Sequence, residues 1–125
     1  MSVRVMVVDD SNIARTMIKD ALSKGGFEVV AEAGGGKQAL DLLERARPDL
    51  VTMDYNMPDI DGEETLRLML AKKPETKVLM LTALAESMMT EDLLKLGAKA
   101  VLAKPFKTDD FLRVIRTILK ADSRS

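Results

Sequence analysis

The sequence predicts an α/β protein: one doubly wound parallel sheet held between two layers of helices. Three observations predict it. Short apolar runs and helix-patterned stretches alternate five times along the chain. The apolar runs are continuous, as in strands buried on both faces. Strands that alternate with amphipathic helices pair in parallel through right-handed crossovers, which cover both faces of the sheet. The 125 residues fit one domain, and the 46% of hydrophobic residues can build a sizeable core. We assign the domain to residues 1–121 and a polar tail to residues 122–125.

The elements follow in order. Val3 to Val8 is the first strand. Ile13, Ala14, Met17, Ile18, Ala21 and Leu22 recur at helical spacing and predict one buried helix face, which Gly25-Gly26 ends. Phe27 to Ala33 is the second strand, and Gly34-Gly35-Gly36 reads as a flexible loop. Ala39, Leu40, Leu42 and Leu43 mark the second helix, closed by Pro48. Leu50 to Met53 is the third strand. Asp61, three residues before Glu64, opens a helix with a capping-box pattern, and Leu66, Met69 and Leu70 give its apolar side. Pro74 marks the turn into the fourth strand, Val78 to Leu81. Ser87 is the expected N-cap of a helix carrying Met88, Leu93 and Leu94 and ending at Gly97. Ala100 to Ala103 is the fifth strand. Thr108 caps a last helix with an apolar stripe of Phe111, Leu112, Ile115, Ile118 and Leu119, and the polar end from Ala121 is expected to fray.

Composition narrows the chemistry. Cys and His are both absent. That excludes disulfides, zinc-finger spacing, a thiol nucleophile, a Ser-His-Asp triad and a phosphate carried on histidine. The net charge of −1 is not the basic excess of a nucleic-acid footprint. No apolar run of spanning length and no leader pattern occurs, so the expectation is a soluble cytoplasmic protein without membrane insertion. Carboxylates, hydroxyls, lysine and backbone remain.

In open α/β sheets, ligands bind at the carboxyl ends of the strands near the point where strand order reverses. Asp9 and Asp10 follow the first strand, Asp54 the third, Thr82 the fourth and Lys104 the fifth. In the flavodoxin-like strand order 2-1-3-4-5, adopted from folds of this class, all five line one edge. Taken alone, Asp9 and Asp10 read equally as caps of the first helix. Beside Asp54 they form an acid cluster that needs a cation. Oxygen-only donors suit a hard ion such as Mg2+. The charges of three carboxylates, one divalent ion and one lysine cancel. An ionised Asp54 can attack phosphorus, while Thr82 and Lys104 can hold phosphoryl oxygens.

Other features carry the plainer reading. Asp59 and Asp61 are loop and cap residues. The glycine run lacks the Lys-Ser/Thr of a phosphate-binding loop and follows the second strand, away from the switch point. The nine methionines are mostly core filler, with Met88 or Met89 available to a partner face.

Four segments, Val7-Val8-Asp9-Asp10-Ser11, Met53 to Gly62, Leu81-Thr82-Ala83 and Ala103-Lys104-Pro105-Phe106, resemble response-regulator receiver domains, with single-domain chemotaxis regulators the nearest in kind. The resemblance implies that Asp54 is the phosphoacceptor. It implies that Asp10 binds Mg2+ directly, Asp9 largely through water, and that the backbone carbonyl of Asn56 completes the protein's share. Thr82 and Lys104 would grip the phosphoryl group, and Lys104-Pro105 would be a cis peptide, which proline permits. A histidine kinase or phosphotransfer protein would be the donor. A protein target would bind the face of helix 4, strand 5 and helix 5. Asn56 and Leu84 stand where the family tunes phosphate lifetime, and an apolar Leu84 implies slower self-hydrolysis than a polar residue. One position departs: Val101 stands where many members carry Tyr or Phe, three residues before the strand-five lysine. Coupling is then expected through Thr82, the Ala83-to-Glu86 loop and helix 4. The reading is a two-component signalling switch whose chemistry is its own phosphorylation and dephosphorylation, possible in chemotaxis, either complete or excised from a larger regulator or hybrid kinase. An Asp-nucleophile phosphatase of the haloacid dehalogenase kind wants Asp-x-Asp after strand one, which Asp9-Asp10-Ser11 does not supply. A flavin carrier of the same architecture wants aromatic rings, and the chain has one Tyr, three Phe and no Trp.

Overall fold

The structure, a computed structural model, describes residues 2–83 and 87–123. Five strands and five helices alternate: β1 (Arg4–Val8), α1 (Asn12–Lys24), β2 (Glu28–Ala33), α2 (Gly36–Ala46), β3 (Leu50–Asp54), α3 (Gly62–Lys72), β4 (Lys77–Thr82), α4 (Ser87–Leu96), β5 (Ala100–Ala103) and α5 (Thr108–Ser123). The strands form one parallel sheet in the order β2-β1-β3-β4-β5, as expected. The order reverses between β1 and β3, so a crevice opens where both strands end.

Alternation along each strand divides the core. Met6, Val8, Val51, Met53, Val78 and Met80 face the layer of α2, α3 and α4. Val5, Val7, Leu50, Leu79 and Leu81 face α1 and α5, where Leu22, Phe111 and Ile115 close the layer. Both faces of the central strands are dry, which is why their sequences read as unbroken apolar runs. Met6, Met53, Met69 and Met80 are fully buried and fill gaps between the branched side chains.

Three local expectations change. The predicted buried face of α1 is too wide: Ile18, Ala21 and Leu22 are buried, but Ile13 and Met17 are 75% and 67% exposed. The first turns of α1 carry them outside the packed layer, so helical spacing alone does not bury them. The glycine run is only partly loop: Gly34 and Gly35 connect β2 to α2. Gly36 already belongs to α2, and a Cβ there would meet Thr65 Oγ1 and Ile60, so the missing side chain lets α2 pack closely. At the other end of the chain α5 continues through Ala121 to Ser123, into the segment expected to fray. Met17 also departs from the expectation of methionine as core filler. The side chains of Ser87 and Met88 lie outside the described residues.

Candidate functional site

Each site side chain is delivered by a strand end. Asp9 follows β1 directly; its N–H still bonds the Ala33 carbonyl of β2 at 3.0 Å, so the ladder holds it in place. Its carboxylate is buried and doubly engaged. Oδ1 accepts the Ser11 N–H at 3.0 Å, and Oδ2 accepts the Lys104 ammonium at 2.8 Å. Asp10 is exposed beside it. Neither acid caps α1. That work falls to Ser11, whose side chain accepts the Ala14 N–H. The capping reading of the acid pair is thereby removed.

Asp54 closes β3 and is buried. Gly62 makes room for it: a Cβ at that position would stand 2.8 Å from the Asp54 carbonyl oxygen and 2.7 Å from Tyr55 Cα. With glycine there, the Gly62 N–H instead bonds the Tyr55 carbonyl at 2.7 Å, and the first turn of α3 seals the end of β3. The Asp61 side chain accepts the Glu64 N–H and starts that helix.

Asp59 also has a structural partner. Its carboxylate accepts the N–H groups of Gly36 and Lys37, capping α2 from the β3–α3 loop. The Lys37 N–H, first among several backbone donors, holds the Asp59 carboxyl below the usual carboxylate range.

Lys104 is held over the cluster by its own backbone. Its N–H bonds the Thr82 carbonyl at 2.8 Å, and its peptide to Pro105 is cis. The ammonium reaches Asp9 at 2.8 Å and Asp54 at 3.4 Å. One carboxylate oxygen from each of Asp9, Asp10 and Asp54 lies within 4.8 Å of the others. Burial, then the Asp9 charge, push the Asp54 carboxyl above its ordinary range, against the pull of Lys104. Burial pulls the Lys104 ammonium down, but the Asp9 hydrogen bond and the charges of Asp54 and Asp9 outweigh it and hold it above its ordinary range.

Thr82 ends β4, fully buried, and its hydroxyl lies 3.9 Å from Met89 Sδ in α4. Asn56 sits exposed in the β3–α3 loop at the same rim. Val101 lies on β5 opposite Met80, half-buried in the layer toward α4. Leu84, and the loop segment through Glu86, fall outside the described residues. Sequence reasoning missed Arg15, which donates to the Asp9 carbonyl at 2.5 Å, and the contact of Met89 with Thr82. The available signal for Arg15 was a cation amid the apolar residues of α1.

Comparison with known proteins assigns the chain to a family. The family model of the response regulator receiver domain matches residues 5–116. The chain belongs to the response regulator receiver domain family. It is 42% identical over 118 residues to the chemotaxis protein CheY of Listeria monocytogenes, covering 94% of this chain and 97% of that protein. It is 32% identical over 123 residues to the sporulation initiation phosphotransferase F of Bacillus subtilis, covering 98% of each. Among solved structures, the CheX-CheY-BeF3-Mg2+ complex from Borrelia burgdorferi superposes with a TM-score of 0.91 at 26% identity, over 94% of this chain and 89% of that one. This is a CheY-like receiver domain of a two-component response regulator. Among the described residues, no helix is long and apolar enough to cross a membrane.

Proposed function

We propose that this receiver domain accepts a phosphoryl group on Asp54 from a phosphohistidine donor, a histidine kinase or phosphotransfer protein, and that the phosphorylated form switches a protein partner. The observation that carries the reading is the convergence of Asp9, Asp10 and Asp54 under a single lysine. Three acids at this spacing repel one another, and one lysine does not balance them. The donor set fits Mg2+: all ligand atoms are hard oxygens, and the exposed Asp10 leaves room for the waters that this ion retains. Asp10 and Asp54, the Asn56 carbonyl, and Asp9 largely through water would hold it. When bound, Mg2+ supplies positive charge against the carboxylates and one phosphoryl oxygen.

In the transfer, a carboxylate oxygen of Asp54 bonds to phosphorus as the phosphorus–nitrogen bond of the donor breaks. Lys104 leaves Asp9 or Asp54 to hold a second phosphoryl oxygen, and the Thr82 hydroxyl takes a third. Thr82 must then give up Met89. This supports an output route from Thr82 into α4 in place of one through an aromatic at position 101, with the target on the α4, β5 and α5 face. The Borrelia neighbour, whose structure carries BeF3 and Mg2+, and the CheY relatives support a phosphorylation switch of cytoplasmic chemotaxis signalling, with no substrate beyond its own Asp54.

Acetyl phosphate with Mg2+ tests this directly. Intact mass spectrometry should show the gain of one phosphoryl group in the wild type and none in Asp54→Asn or after chelation of Mg2+. An unchanged wild-type mass would defeat the reading.

A further inference from the structure

We propose that Arg15 is a positioning residue for the divalent-cation site: it fixes the peptide that carries Asp9 and Asp10. The inference rests on the function proposed above and adds a residue to it. Arg15 enters from α1, with its side chain only 17% exposed. Its guanidinium ties the β1–α1 loop and β2 to the start of its own helix. Nη1 donates to the Asp9 carbonyl at 2.5 Å, Nη2 bonds the Asn12 side chain at the start of α1, and Nε donates to Glu32 Oε1 on β2 at 3.3 Å.

The Asp9 carbonyl belongs to the same planar peptide as the Asp10 N–H. Holding that oxygen therefore sets the directions in which both side chains leave the backbone. The Asp9 carboxylate has further anchors in Ser11 and Lys104. The exposed Asp10 carboxylate depends on the peptide beneath it for its aim. Partners one shell out from the metal orient its ligands in this way.

A plain stapling role fits less well. Glu32 is 39% exposed and already holds Lys19 at 2.9 Å, and exposed ion pairs of that kind contribute little. An arginine side chain that is mostly covered, with one guanidinium nitrogen on a part-buried backbone carbonyl, is the unusual feature. Only arginine offers a fork wide enough to span these three acceptors; lysine is a point donor.

The test is a calorimetric Mg2+ titration of the full chain and its variants, with thermal unfolding in parallel. Arg15→Gln is expected to weaken Mg2+ binding roughly tenfold, the range for loss of a group that orients a ligand. Arg15→Lys should fall between it and the wild type, and it keeps the inference testable if Arg15→Gln does not fold. Glu32→Gln should move the unfolding midpoint only slightly and leave Mg2+ affinity unchanged, which separates positioning from stapling. Wild-type Mg2+ affinity in Arg15→Gln and Arg15→Lys overturns the inference alone. An equal loss of affinity in Glu32→Gln also overturns it, because stapling would then suffice. A wild type that takes no Mg2+ overturns the proposed function and this inference together.

Discussion

The two ends of the sheet treat charge in opposite ways. At the amino end of the strands, Arg4 donates to the Ala46 and Arg47 carbonyls and so closes the carboxyl end of α2, while its N–H bonds Asp49 at 2.8 Å. The charged side chains there are placed to satisfy backbone groups. At the carboxyl end, Asp9, Asp10 and Asp54 crowd together with Lys104 between two of them, and Asp54 is pushed toward its neutral form. Folding alone gives no reason to collect three acids there. The contrast teaches that an unbalanced charge cluster on a well-paired scaffold marks a candidate site for a cation and an anion.

The largest effect that would sharpen this contrast is metal linkage. A ligand that binds only the folded chain at 100 times its Kd stabilises it by about 2.7 kcal/mol. Mg2+ at that level should raise the unfolding midpoint of the wild type and leave that of Asp10→Ala unmoved. In metal-free buffer at neutral pH, Asp54→Asn should itself raise the midpoint. The raised carboxyl means that the charged form is disfavoured in the fold, and the substitution removes that charge. A metal-free Asp54→Asn less stable than wild type would break the comparison at this end.

A smaller effect of opposite sign is expected at the amino end. Arg4→Met removes a charged donor from two carbonyls and should destabilise the fold by about 2 kcal/mol. Denaturant unfolding measures it, and Mg2+ affinity should stay at the wild-type value. A shift in Mg2+ affinity would show that the two ends are coupled.

The smallest change concerns Thr52, midway along β3. Its Oγ1 is the only side-chain polar atom found buried without a partner among the described residues. It shares the α1 and α5 face with Leu50, and its neighbours across the ladder are Val7 and Leu79. Thr52→Val keeps the shape and removes the orphan hydroxyl, so it should stabilise the fold by about 1 kcal/mol. Chemical denaturation checks it. A loss of stability would mean that the hydroxyl has a hidden partner.

Sequence alone determined the alternation of buried strands and covering helices and the candidate residues at the strand ends; the strand order was adopted from folds of this class. Strands buried on both faces must be apolar throughout, and helices covering them must be amphipathic, so periodicity reports the layers. Acids at the ends of otherwise apolar strands stand out because an apolar surrounding penalises charge. The comparison with the family then places the chain among the receiver domains.

Only the tertiary structure decided which long-range partners meet. That Ile13 and Met17 stay exposed, that Gly36 is packed against Thr65, that Asp59 caps α2 and that Arg15 grips the Asp9 carbonyl are facts of how separate elements lie against each other. Local patterning carries the free energy of burial along one element. Hydrogen bonds and close approaches between elements depend on distances set only when the layers close.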